Sequence, residues 1–225
     1  MSKCESCIIK EFNSLKSLTR EELMRVSACK TGKIYRKGQI IFEEGETLNG
    51  VYCVRDGVCK LTKLSENGKD QVVKLVVKGD LLGKRSLVSD QKTNLSAVAL
   101  NDMEMCFIPK SEIIDDLSKN PKFTMDVLRE MANDLKESDV SLVNMAQKSV
   151  KRRMAEILMY SHDNFGTDNE GYLSIVLSRE DYASIVGTAT ESAIRILSQF
   201  KKEGLISTTG KRIKIDDYNG LKWIE

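Results

Sequence analysis

The chain has 225 residues, 30% of them charged and 41% hydrophobic, with a formal net charge of +2. That length suits one large domain or two modest ones with a real core, and the near-neutral balance excludes a uniformly basic coat but not a local basic patch. Six cysteines stand against a single histidine, His162, which excludes chemistry needing two histidines, the His-Glu-X-X-His zinc enzymes among it.

The N-terminus, Met1-Ser2-Lys3-Cys4-Glu5-Ser6-Cys7, lacks the apolar run of a secretory signal, and no stretch of about eighteen apolar residues occurs. The chain therefore reads as cytoplasmic, with no membrane partner and with mostly reduced thiols. Cys29, Cys53, Cys59 and Cys106 lie among apolar neighbours and read first as small buried hydrophobes. Cys4 and Cys7 differ: their surroundings are polar and their spacing suits a shared metal or a redox pair, although one C-x-x-C is a weak motif.

From about residue 32 to 108, glycines alternate with short strand-like segments such as Val51-Tyr52-Cys53-Val54 and the run 71–77. Asp56-Gly57 and Asn67-Gly68 are hairpin signals, and the whole predicts a small barrel or sandwich. Residues 12–30 and 110–118 read as flanking helices. Asn120-Pro121 then opens a helix to about Asn144, as an N-cap followed by proline at the first helical position. Leu128, Leu135 and Leu142, interleaved with Met131, Ser138 and Met145, form an a/d seam suited to a second helix; a core-packed amphipathic helix is the other reading.

A further helix is expected over Val150 to His162, then a loop over Asn164 to Gly171, then strand, helix, turn, helix and hairpin. Ser178 with Asp181 caps a helix ending at Gly187, and Thr188 with Glu191 reads as a second capping box opening a helix to about Glu203. Two short helices about a glycine turn make a helix-turn-helix. On the second, Ala193, Ile196, Leu197 and Phe200 share one face, while Glu191, Arg195, Ser198 and Lys202 share the other, flanked by Thr190 and Ile194. Arginine bonds guanine edges, glutamate accepts from cytosine, and an apolar group meets the thymine methyl, so this face suits a major groove. Glu191 and Arg195 also suit a plain i,i+4 ion pair. What tips the balance is a strand-turn-strand with a basic tip at Gly210-Lys211-Arg212, a wing. From 178 to 214 seven Lys/Arg face four Asp/Glu, the local excess that phosphate contacts need.

With these pieces in place the whole chain resembles the Crp/Fnr family of bacterial transcription regulators. The resemblance rests on residues 51–57, on Lys78-Gly79-Asp80-Leu81-Leu82-Gly83, on Leu177-Ser178-Arg179 through Gly187, and on Thr190-Glu191, Arg195 and the wing. It implies an α+β chain: a cyclic-nucleotide-binding-like β-roll over 1–119, a dimerisation helix over 120–147, and a winged helix-turn-helix over 148–225. It implies that Glu191 and Arg195 read base edges and that Arg179 touches the backbone, with Thr188, Lys211 and Arg212 beside them. RNA polymerase is implied as a partner besides double-stranded DNA and a second copy of the chain. Where the Fnr branch has serine between its glutamate and arginine, this chain has Ile194, which leaves the half-site open.

The resemblance places the effector pocket at Gly83, Lys84, Arg85, Asn94 and Leu95. Cyclic-AMP binders carry a glutamate and an Arg-Ser pair where this chain has Lys84, Asn94 and Leu95, so cyclic AMP is not expected. In Fnr-type proteins four cysteines hold a [4Fe–4S] cluster. Cys4, Cys7 and Cys106 match three of them, the remaining one falls on Asn13, and Cys29 or Cys53 substitutes only if the fold brings it close. An iron–sulfur cluster, a Cys4–Cys7 redox pair or zinc-type site, and a sensor without metal all stay open. The rival functions are a ligand-binding or scaffold protein without specific DNA binding, and an enzyme. The nearest nucleotide-binding string, Gly204 to Arg212, has the wrong glycine spacing, and no catalytic role is expected.

Overall fold

The computed structural model describes residues 4–66, 68 and 70–225. The chain divides into two compact units, one of residues 1–63 and 74–137, the other of 64–73 and 138–225, so the long helix contributes to both.

In the first unit, β1 (Thr31–Tyr35), β3 (Gly50–Asp56), β6 (Leu81–Leu82) and β8 (Met103–Pro109) form a sheet in the order β1-β8-β3-β6. A second sheet, in the order β2-β7-β4-β5, is built from β2 (Ile40–Phe42), β4 (Cys59–Leu64), β5 (Asp70–Val76) and β7 (Ser96–Ala99). The predicted sandwich is present. Strand alternation distributes β3 and β8 between two cores. Tyr52, Val54, Met103 and Met105 join Phe42, Cys59 and Val76 in one cluster. Val51, Cys53, Cys106 and Ile108 pack in the other with Ile9, Leu15, Leu23, Val26, Phe123 and Val127. Both faces of β3 are therefore covered, which is why it reads as a continuous apolar run instead of an alternating one.

Asp56-Gly57 does not close a hairpin. Gly57 has the positive φ of 88° that the dipeptide signals, but β3 and β4 lie in different sheets, so the turn is a corner between layers. For Asn67-Gly68, Asn67 lies outside the described residues; Gly68 has φ of 77°, and β4 and β5 are sheet neighbours. The helix expected over 12–30 is shorter. 3₁₀ turns at Cys4–Ser6, Ile8–Phe12 and Ser14–Ser17 precede α1 (Arg20–Cys29), because Asn13 caps the third turn and Thr19 with Glu22 forms the capping box that starts the helix. Then come α2 (Lys84–Ser89), α3 (Lys110–Lys119) and α4 (Pro121–Gln147), the last with the Asn120 side chain accepting from the Phe123 amide at 3.0 Å.

In the second unit α5 runs from Val150 to Phe165, one turn beyond expectation. The strand expected after Gly171 is reduced to isolated bridges, Thr167 to Leu173 and Tyr172 to Lys214. Helices α6 (Arg179–Val186) and α7 (Thr190–Lys202) follow, then β9 (Ile206–Thr209) and β10 (Arg212–Ile215) as an antiparallel hairpin. Ser178 and Asp181 form the predicted capping box, and Gly187 ends α6 in the left-handed region at φ 66°. The Thr188 box does not form: Ala189 is the N-cap of α7 and no side chain caps it. A short helix, α8 (Tyr218–Lys222), capped by Asp217, was not expected from sequence. Among the described residues no helix is long and apolar enough to cross a membrane.

Candidate DNA-reading face and cysteine cavity

The amphipathic division of α7 is as the sequence indicates. Ala193, Ile196, Leu197 and Phe200 are buried, and Glu191, Ile194, Arg195, Ser198 and Lys202 are exposed. Thr188 and Thr190 are half-buried at its start. Arg179, at the first turn of α6, donates to the Gly210 carbonyl at 3.3 Å and so ties that helix to the wing tip. Lys211 is exposed beside it. Arg212 is already engaged: it donates to Asp168 at 2.6 Å and Glu170 at 2.8 Å, and its guanidinium lies 4.1 Å from the Tyr172 ring centroid.

Arg153 is a residue that sequence reading passed over. Its guanidinium donates to the carbonyls of Val186 (2.9 Å), Met145 (3.0 Å) and Lys148 (2.6 Å), bonding the ends of α4 and α6 together. Only the position of a basic run at the start of α5 hinted at it.

On α4, Leu128, Leu135, Ser138, Leu142 and Met145 are exposed, whereas Met131 packs against the core under the first sheet. The helix also carries Phe123 and Val127 inward. Its free apolar side runs through Met125, Leu128, Ala132, Leu135 and Leu142.

The residues expected to form an effector pocket differ in exposure and in partners. Gly83 adopts φ 85° at the start of α2, Arg85 and Asn94 are exposed, and the Leu95 amide donates to the Thr93 hydroxyl at 3.3 Å. Lys84 turns to α4, donating to Glu130 at 3.2 Å and Asp134 at 2.9 Å. Lys74 reaches Asp134 at 2.7 Å and Glu137 at 3.1 Å. The Lys84 ammonium, expected in the effector pocket, is therefore spent on helix carboxylates.

The cysteines do converge. Cys4, Cys7, Cys53 and Cys106 line one cavity with Lys10, Lys30 and Arg55. Cys53 and Cys106 are direct partners across β3 and β8, on the side of that sheet where Cys4 is also buried. Cys29 is exposed and does not line the cavity, and Cys59 is buried in the other core. Burial, then the neighbouring Cys106, push the Cys53 thiol up to about 12. Burial also raises Cys106, against the opposing pull of Lys30 and Arg55. Among the described residues, no three His, Cys, Asp or Glu side chains are grouped to hold one metal ion. A polynuclear cluster holds its thiolates farther apart than one ion does, and four thiols around one cavity are the donor set it takes. Lysine and arginine on the wall suit the net negative charge of such a thiolate complex. The residues present fit the group.

A sandwich sensor unit, a long helix with a free apolar side, and a winged helix-turn-helix with a polar reading face define a DNA-binding transcription regulator. Comparison with known proteins agrees: residues 33–120 match the cyclic nucleotide-binding domain family and residues 152–224 the Crp-like helix-turn-helix domain. The chain is 30% identical to the anaerobic regulatory protein of Haemophilus influenzae, covering 97% of this chain and 86% of that one. It is 29% identical to the fumarate and nitrate reduction regulatory protein of Vibrio cholerae, over 94% and 86%. Its fold is similar to a transcriptional regulator from Eubacterium rectale, with TM-score 0.79 and 19% identity over 92% and 95% of the two chains. It is also similar to FixK2 from Bradyrhizobium japonicum, with TM-score 0.73 and 22% identity over 86% and 96%. The chain belongs to the Crp/Fnr family of transcription regulators, and it is not an enzyme.

Proposed function

We propose that this regulator works in the cytoplasm as a homodimer through α4, reads a two-fold DNA site with α7, and answers to oxygen or redox state through an iron–sulfur cluster at Cys4, Cys7 and Cys106. The observation that carries the sensor reading is the convergence of these three thiols on one cavity, where the cyclic-nucleotide contacts are missing. The names of the relatives, an anaerobic regulator and a fumarate and nitrate reduction regulator, support the same signal. When bound, the cluster supplies an oxidisable centre whose integrity depends on oxygen.

The chain's own residues give that signal a route. The segment holding Cys4 and Cys7 continues into Ser14 and Ser17, and the Ser14 amide donates to Glu130 while the Ser17 hydroxyl donates to Asp126. Both acceptors are on α4, and the Asn120 amide at its N-cap donates to the Ser17 carbonyl at 3.1 Å. Ordering or release of the N-terminal segment therefore acts on the proposed dimer helix directly, a two-state element biased at one end.

On DNA, Glu191, Arg195 and Ile194 meet base edges, with Thr190 and Ser198 beside them, while Arg179, Thr188, Lys202 and Lys211 bond phosphates. Arg212 reaches a phosphate only by exchanging Asp168 and Glu170 for it. RNA polymerase is the partner that a DNA-bound regulator of this kind meets next. Footprinting and anisotropy at graded salt test the DNA reading. Arg195→Ala loses about 1–3 kcal/mol of sequence discrimination while the salt-dependent non-specific binding survives. Equal loss on every sequence would remove Arg195 from the base-reading role.

A further inference from the structure

The three thiols named above leave one corner of a four-thiolate site to be filled. We propose that Cys53 is the fourth ligand, and that Asn13 stands beside the set as a hydrogen-bond donor to the Cys53 sulfur. The inference rests on the cluster reading given above and deepens it.

Several observations converge on Cys53. It lines the same cavity as Cys4, Cys7 and Cys106, which neither Cys29 nor Cys59 does. Its register against Cys106 is fixed by the β3–β8 ladder, so strand alternation aims both side chains to one face. The amide of Asn13 donates to the Gly79 carbonyl at 2.7 Å and lies 3.6 Å from the Cys53 sulfur, while its carbonyl oxygen accepts from the Leu15 amide at 3.0 Å. Asn13 is thus fully occupied as a local clamp, with its oxygen turned to its own turn and its N–H toward the sulfur. An amide donor next to a ligating sulfur stabilises the thiolate and tunes the centre's potential. The cationic wall of Lys10, Lys30 and Arg55 balances the fourth negative sulfur. Loading is balanced as ligation: at each cysteine the S–H bond breaks, an Fe–S bond forms, and the proton leaves to water. Iron and inorganic sulfide are supplied as reagents.

The site would then be split between two supports. Cys53 and Cys106 stand on neighbouring strands held by a sheet ladder, whereas Cys4 and Cys7 sit on a short 3₁₀ turn and the residue that follows it.

The test is anaerobic reconstitution of the full chain with ferrous iron and sulfide, read by iron and sulfide content and by visible absorption. Wild type takes up about four irons per protomer. Cys53→Ser and Cys53→Ala fall at least several-fold below it, and Cys29→Ser and Cys59→Ser match it. Because Asn13 lies beside the same sulfur, Asn13→Cys added to Cys53→Ser restores loading. That rescue separates a lost ligand from a misfolded strand, and melting of each iron-free variant checks the fold independently. Equal loading of wild type and a folded Cys53→Ser or Cys53→Ala overturns the role of Cys53 and leaves the cluster reading standing. A double variant whose iron-free form melts cooperatively and yet takes up no iron overturns it as well. A wild type that takes up no iron overturns the cluster reading itself.

Discussion

Leu135 offers the sharpest test of the proposed dimer. Its side chain is 64% exposed on α4, in line with Leu128 at 51% and Leu142 at 70%. Fully burying a leucine is worth about 1.5–3 kcal/mol, so covering what Leu135 still exposes contributes roughly 1–2 kcal/mol in each protomer. Two-fold symmetry doubles this to roughly 2–4 kcal/mol, or roughly a 30- to 700-fold change in the dimer dissociation constant. Leu135→Lys removes that burial and sets two ammonium groups against each other, so the loss is at the upper end or beyond. The control is Val140→Lys. Val140 is 53% exposed, nearly as much as Leu135. Five positions at about 100° each place it some 140° around the helix, off the leucine line. Sedimentation equilibrium across protein concentration should show Leu135→Lys shifted to monomer and Val140→Lys still dimeric within a few-fold. Equal behaviour of the two variants, or an unchanged Leu135→Lys dimer, would refute the seam.

The remaining predictions concern coupling, backbone and acid. Glu130→Ala removes the acceptor of the Ser14 amide; iron loading should stay the same while the difference in DNA affinity between loaded and iron-free protein narrows, and an undiminished difference in anisotropy titrations would rule out this route. Gly187 sits at φ +66°, and an added Cβ would lie 3.2 Å from the Met145 sulfur; Gly187→Ala should cost about 1–2 kcal/mol in urea unfolding, and a neutral result would mean the turn relaxes. Burial alone would raise the Asp134 carboxyl, but hydrogen bonds and charge from Lys74 and Lys84 hold it below its ordinary 3.8. A folded value below the unfolded one gives stability that is complete above the unfolded value and is lost as pH falls through the folded one. Below about pH 4 wild type should therefore lose stability more steeply than Asp134→Asn, and parallel curves would refute the assignment.

The winged helix-turn-helix was legible because its signals are local. Ser178 with Asp181, the left-handed Gly187 and the spacing of Ala193, Ile196, Leu197 and Phe200 each act within a turn or two of chain. The failures are also informative. Asp56-Gly57 encodes a positive φ but not which strand comes next, so a corner between sheets looks the same as a hairpin. The Thr188 box lost because the sharp turn at Gly187 leaves Ala189, not Thr188, as the N-cap. No element was expected after the hairpin, although the Asp217 side chain caps a short helix there. At the cysteines, the N-terminal pair was visible by spacing and Cys106 only through the family resemblance, whereas Cys53 depended on a strand register set by residues far apart in sequence. Lys84 was misjudged for the same reason, since its carboxylate partners lie on a helix some fifty positions away.

The Arg153 guanidinium has a mechanical consequence. A joint between two helices swivels when its terminal carbonyls trade water partners freely. Here the carbonyls of Met145, Lys148 and Val186 share one planar cation whose donors are fixed in a fork. The corner is a welded elbow and not a bearing. Torque arriving along the last turns of α4 is delivered to the C-terminal end of α6, one residue ahead of Gly187, as rotation, with little of it absorbed as bending. A lysine at 153 would keep the charge and lose the weld.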